Sequence, residues 1–185
     1  MKNNNCNFKK TLPFFAISAV VLTVFWIWLV GLYTKPTKEQ TVSLFIGTKT
    51  ANSSLIEEKV NIDNYKGLLK LDFKEIPTNN MLMMYYTSVG QSECDLFIIS
   101  ENDFIDKFGE YYNCFLPLND VTDLSNNNYS FFENNGDLLG LKMKNDFFTD
   151  ESEYYVFISK HSLHIKPFSA DSVDDYLFKI VKDLI

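Results

Sequence analysis

The sequence predicts an α/β domain built as a single lobe on a mostly parallel sheet with flanking helices, preceded by one transmembrane helix. Three observations carry this. Residues 12–33, LPFFAISAVVLTVFWIWLVGLY, run for 22 positions without a charge. Downstream of them, short apolar segments alternate with segments of helical spacing at the distances of βαβ crossovers, which join parallel neighbours in one sheet. The chain closes on SADSVDDYLFKIVKDLI, where Val173, Leu177, Ile180, Val181 and Leu184 share one side of a helix.

The charge-free run spans a hydrocarbon core of about 30 Å at about 1.5 Å per residue. Trp26, Trp28 and Tyr33 stand toward its end, where aromatic rings favour the membrane interface. Pro13 falls in the first turn of such a helix, where a missing N–H costs least. The run exceeds the apolar core of a cleaved signal peptide and no small-x-small site follows it, so it reads as an uncleaved signal anchor. Lys2, Lys9 and Lys10 precede it and Lys35 and Lys38 follow, a count that favours an N-terminus in the cytoplasm and an extracytoplasmic domain at the cell membrane. The organisation is therefore a tail over residues 1–11, the helix over 12–33, a polar linker over 34–40 and an α/β domain over 41–185.

Within that domain, TVSLFIG is a short apolar strand ending in glycine, and TKTANSSLIEEKV follows with Leu55, Ile56 and Val60 at helical spacing. GLLKLDFKEIP alternates Leu69, Leu71 and Phe73 with Lys70, Asp72 and Lys74, a strand exposed on one face. TNNMLMMYYTSVG offers Thr and Asn as caps and a closing glycine, hence a second helix. DLFIIS is a third strand. ENDFIDKFGEYY carries Phe104, Ile105 and Phe108 on one helical face, with Gly109 as its end. VTDLSNNNYSFFENNG reads as irregular, DLLGLKMK and EYYVFISK as strands.

Composition narrows the function. All 17 basic residues are lysine, and with many Asn and 17 Phe this is the bias of AT-rich coding sequence, as in a low-GC bacterium. From Thr34 onward 14 lysines face 24 acids, a charge of −10 that repels nucleic-acid phosphates and an anionic bilayer surface. No GxSxG, P-loop or HExxH occurs, so no enzyme activity and no cofactor are expected. His161 and His164 lie three apart beside a strand, a spacing that suits no metal site. Cys94 precedes the third strand and Cys114 follows the next helix, which returns both to one end of the sheet. They form a candidate disulfide outside the cytoplasm, or two buried thiols. Open α/β sheets bind ligands beyond the C-terminal strand ends, here Gly47, Thr48 and Lys49, and Ser100, Glu101 and Asn102. Their polar groups either meet a solute or cap the following helices.

The order of segments resembles the N-terminal lobe of the extracellular solute-binding proteins that serve ABC transporters, the sugar-binding type in particular. VSLFIG is similar to that family's opening strand, CDLFIISENDFIDKF with FLPLND to its third strand, acidic helix start and proline-leucine-aspartate stretch. NNGDLLGLKMK resembles a glycine-turned hairpin into the ligand site, and EYYVFISKHSLHI with the closing helix resembles the crossing strand and the first helix of a second lobe. The likeness covers Val42 to Ile185. It implies ligand contact at Thr48, Ser100 and Glu101 and binding of a polar solute such as a sugar, without catalysis. Because family members close two lobes around a solute, a lone lobe is either a truncated relic or a surface module for a membrane-protein partner.

Overall fold

The computed structural model describes residues 5–75, 81–119, 129–165 and 176–185, with side chains from residue 13 onward except that of Tyr176. It divides into two compact units, Met1–Pro36 and Thr37–Ile185. The expected caps in residues 78–80, the irregular stretch 121–128 and the start of the closing helix lie outside the described residues.

The first unit is one helix, α1 (Asn5–Tyr33). Its segment Pro13–Tyr33 is long and apolar enough to cross a membrane. Apolar residues face outward all round it, Phe14, Ile17, Val21 and Trp28 among them, as suits a span in lipid rather than an amphipathic surface helix. Thr23 donates its hydroxyl to the Ala19 carbonyl at 2.8 Å, so its one polar group is satisfied within the helix. The helix is described from Asn5, which places Pro13 inside it and not in the first turn. The polar residues before Leu12 continue the helical winding, and the proline forgoes one backbone bond.

The second unit is one six-stranded mixed sheet with helices on both faces, in the order β2-β1-β3-β6-β5-β4. The strands are β1 (Thr41–Ile46), β2 (Lys70–Glu75), β3 (Leu96–Ser100), β4 (Phe131–Asn134), β5 (Asp137–Lys142) and β6 (Tyr154–Ile158). β1 runs parallel to β2 and β3. β6 runs antiparallel to β3, β5 to β6, and β4 to β5. The mostly parallel sheet expected from the sequence is therefore corrected to a mixed one. For β4 and β5 the cause is local: Asn135 and Gly136 take φ of 54° and 89°, the left-handed pair of a tight hairpin turn, and a hairpin admits only antiparallel strands. The same turn makes a strand of FFEN, which the reading of the residues left irregular.

Alternation along the strands sorts the core into two layers. Val42, Leu44, Ile46, Leu96, Ile98, Val156 and Ile158 point to one face, where α2 (Ser53–Lys59) adds Ile56, and α5 (Tyr176–Leu184) adds Leu177, Ile180, Val181 and Leu184, all fully buried. Tyr65 donates its hydroxyl to Asp183 and ties α5 to the same layer. The helix that the resemblance reads as the start of a second lobe thus packs on this one. The other face is aromatic: Phe45, Phe97 and Phe157 meet Tyr86, Phe104, Phe108 and Phe115. Phe104 stacks on Phe157 with centroids 4.4 Å apart. Gly140 permits this layer, since a Cβ there would lie 2.7 Å from Phe157 Cε1.

Two helices cover the aromatic face. α3 (residues 82–93) carries a wide π turn over Tyr86–Gly90 and continues to Glu93, past the glycine expected to close it. α4 (residues 101–108) widens likewise over Phe104–Phe108. Gly109 caps the end of α4 as expected, and a 3₁₀ turn, Gly109–Cys114, follows it and delivers Phe115 to the core.

Candidate functional site

β1 and β3 are parallel neighbours, so their C-terminal ends share one edge of the sheet, and β6 begins there because Tyr154 sits opposite Ser100. Past β1 the chain is held against the segment preceding β6. Asn52 N–H donates to the Phe147 carbonyl at 2.8 Å and Thr149 N–H to the Thr50 carbonyl at 2.9 Å. Phe148 stacks on the ring of Tyr154 with centroids 3.7 Å apart, which fixes where the phenol oxygen lies.

That oxygen is the hub of a hydroxyl cluster. It lies 2.7 Å from Thr50 Oγ1 and 3.2 Å from Thr48 Oγ1, and the two threonine oxygens are 2.8 Å apart. Tyr154 donates to Asp150 Oδ2 at 3.0 Å, and Ser152 donates to the same oxygen at 3.0 Å. A carboxylate only accepts, so the chain of hydroxyls has one direction: Asp150 takes from Tyr154, and Tyr154 takes from threonine. Asp150 Oδ1 is buried and has no hydrogen-bond partner among the described residues. A buried acceptor without a partner costs about 1–3 kcal/mol, so among the described residues this oxygen is the unsatisfied group of the network.

A second network stands at the end of β3. Ser100 is buried, accepts from Asp103 N–H at 3.2 Å and donates to Asp103 Oδ2 at 3.0 Å, the geometry of a helix N-cap. Lys107 holds the other oxygen of Asp103 at 2.5 Å. Glu101 donates its backbone N–H to the Glu153 carbonyl at 2.9 Å, and its side chain is half-exposed. Glu153 is bonded to Lys142 and to the Tyr155 hydroxyl, which hold its carboxyl below the usual range. Burial, then Glu153, pushes the Tyr155 phenol up to about 12.

Thr48, Ser100 and Glu101 therefore occupy one edge of the sheet, as expected for strand tips. Their hydroxyls belong to separate networks, Thr48 to that of Asp150 and Ser100 to that of Asp103. Thr48 is 7% exposed and Ser100 6%, so both serve the fold first, and the capping alternative describes Ser100. Reading the sequence did not single out Thr50, Asp150, Ser152 or Tyr154. Asp150 and Tyr154 come from a turn and a strand start more than a hundred residues after Thr48, and only the antiparallel return of β6 brings them to it.

The remaining candidates are structural. Cys94, buried, and Cys114, half-buried, stand as free thiols, the second of the two alternatives that their spacing left open. Burial pushes the Cys94 thiol up to about 11, and Cys114 accepts from Gln91 Nε2 at 3.3 Å. His164 donates Nε2–H to the Thr41 carbonyl at 2.9 Å, and among the described residues no group of His, Cys, Asp or Glu could hold a metal ion. Asp95 is 8% exposed and accepts from Ser43 N–H at 2.8 Å and from Ser162 Oγ at 2.5 Å, which binds the loop after β6 to the start of β3. At the start of β2 a surface groove of about 510 Å³ is lined by Glu57, Glu58, Val60, Asn61, Ile62 and residues 69–71.

A mixed α/β domain with a polar network at its strand tips, behind an apolar helix, is the class these features define. No protein-family model matches the chain, and no curated protein matches it.

Proposed function

We propose that this chain is a membrane-anchored, solute-binding-protein-like domain that binds a polar solute without covalent chemistry at the edge formed by Thr48, Thr50, Asp150, Ser152 and Tyr154. The observation that carries the reading is Asp150 Oδ1, a buried acceptor without a partner among the described residues, in a cluster with the hydroxyls of Thr50 and Tyr154. A solute hydroxyl or amine would complete it. Anionic solutes are disfavoured by the domain's charge, and among the rest the resemblance favours a neutral sugar or polyol. The resemblance to the first lobe of ABC-transporter binding proteins is supported by the β4–β5 hairpin turning at Gly136 and by β6 crossing back beside β3. On this reading the N-terminus is cytoplasmic, the domain extracytoplasmic, and Glu101 a rim contact.

Thermal unfolding of the full chain in detergent micelles, against sugars, polyols, amino acids and peptides, tests the reading. A ligand at a hundred times its Kd adds about 2.7 kcal/mol, roughly 5–10 °C in a domain of this size. A rise with one neutral hydroxylated class supports solute binding. No rise with any class sinks it and leaves the second reading, an interaction ectodomain of a membrane complex. That reading is favoured by Met84, Tyr85 and Ile105, exposed apolar side chains on the helices of the aromatic face.

A further inference from the structure

β2 ends the sheet and pairs on one side only, with β1. Leu69 donates its N–H to the Gln40 carbonyl at 2.8 Å, so residues 69, 71 and 73 turn their backbone groups inward to β1. By the alternation of a strand, residues 70, 72 and 74 turn theirs outward. Among the described residues nothing bonds to those outward groups. An open edge of this length is a template for another strand.

The side chains select which strand. Lys70 and Asp72 are bonded at 2.8 Å and stand exposed on one face. Leu69, Leu71 and Phe73 share the other face, and Leu69 is 57% exposed, an apolar side chain that the fold leaves uncovered beside the groove. The segment is complementary to itself when reversed about Leu71. Lys70 then faces Asp72 of a second copy and Asp72 faces its Lys70, while Leu71 meets Leu71 and Leu69 meets Phe73.

Both charged pairs have outward backbone groups, so they are the hydrogen-bonded pairs of an antiparallel ladder and exchange about four bonds. The four charges alternate around a closed square. Centring the two-fold on Asp72 instead sets Asp72 against Asp72 and Lys70 against Lys74, which repel. Centring it on Phe73 sets Leu71 against Glu75 and asks for Lys74, already bonded to Glu93 at 2.6 Å. A one-residue slip turns backbone groups away from one another.

We infer that β2 is a self-association edge, on which a second copy of this chain pairs antiparallel about Leu71 to give a continuous twelve-stranded sheet across a two-fold axis. The partner copy's Leu69 and Leu71 roof the groove beside α2.

The experiment is sedimentation of the full chain in detergent micelles at up to about 100 µM, for wild type, Lys70→Asp, Asp72→Lys and the double charge swap, each checked for native near-ultraviolet dichroism. The expected result is a wild-type dimer, weakening of roughly tenfold in each single variant as two symmetric pairs turn repulsive, and recovery in the swap, where the pairs are restored in reverse. On intact membranes Leu71→Cys forms a disulfide-linked dimer that wild type does not, since facing residues of a non-hydrogen-bonded pair lie about 4.5 Å apart at Cα. A monomeric wild type overturns the inference. So does a dimer indifferent to the single reversals, which places association on α1 or another surface. So does a swap that stays as weak as its parents.

Discussion

Replacing Asp95 with alanine removes the acceptor of two bonds that join three segments. Ser43 N–H, on β1, reaches Asp95 Oδ2 at 2.8 Å, and Ser162 Oγ, after β6, reaches Oδ1 at 2.5 Å. Both donors belong to buried residues, Ser43 at 8% exposure and Ser162 at 8%, so water replaces the carboxylate poorly. Bonds to a charged acceptor contribute about 1.5–3 kcal/mol each, and part is recovered by losing the desolvated charge, which leaves a net loss of about 3 kcal/mol. For a domain of this size that lowers Tm by roughly 10 °C. Asp95→Asn keeps one acceptor and sets a donor against the other partner, so its loss falls between alanine and wild type. The assay is thermal unfolding of the full chain in micelles, followed by near-ultraviolet dichroism of the aromatic layer. An Asp95→Ala protein melting within a degree or two of wild type refutes the assignment, as does an asparagine variant that loses as much as alanine.

Further expectations concern packing and pH. Gly140→Ala forces a Cβ to within 2.7 Å of Phe157, fully buried, and destabilises by about 1–3 kcal/mol in urea titration, whereas Gly109→Ala meets nothing within 4 Å and is neutral or slightly stabilising. Ile180→Ala opens a cavity under α5 and lowers the urea midpoint by the equivalent of about 2–5 kcal/mol, while Ile105→Ala, at an exposed position, leaves it nearly unchanged. Cys94 is held protonated up to about 11 against an ordinary 9.0, and Tyr155 up to about 12 against 10.0. Above pH 9 the unfolded chain therefore loses these protons while the folded one retains them. Stability is full below about pH 9 and falls from there toward pH 12, seen as a lower urea midpoint at pH 10.5 than at pH 8. In the same folded protein Cys94 alkylates far more slowly than Cys114.

Much of this fold is legible in the sequence, and the limits have physical causes. β1, β2 and β3 stand out because each is a short apolar or alternating run bounded by glycine, proline or a helix cap. The closing helix stands out because five apolar residues, Val173, Leu177, Ile180, Val181 and Leu184, fall on one side in the sequence. β4 is hidden because Phe131 and Phe132 follow a long polar stretch, and only the Asn135–Gly136 turn announces a hairpin. The direction of β6 is not a local property: EYYVFISK reads alike in either orientation, and only its place between β3 and β5 in the folded sheet sets it. The proposed site is legible only in part. Thr48 follows from the general rule that strand tips carry ligands, but Asp150 and Tyr154 have no local mark that separates them from the domain's other acids and tyrosines. Gly90 shows the reverse error, since glycine within a helical run did not end it where packing of Tyr86 continued the coil.

The central claim is that Asp150 Oδ1 and the hydroxyls of Thr48, Thr50 and Tyr154 form the contact surface for a neutral hydroxylated solute. Titration calorimetry of the full chain and of Asp150→Asn, with the sugar or polyol that most raises the melting temperature, tests it directly. The account predicts measurable binding to the wild type and a loss of roughly tenfold or more in the variant, the effect of one charged acceptor, with the unfolding transition otherwise kept. Equal affinity of the two proteins would place the solute elsewhere and contradict the account.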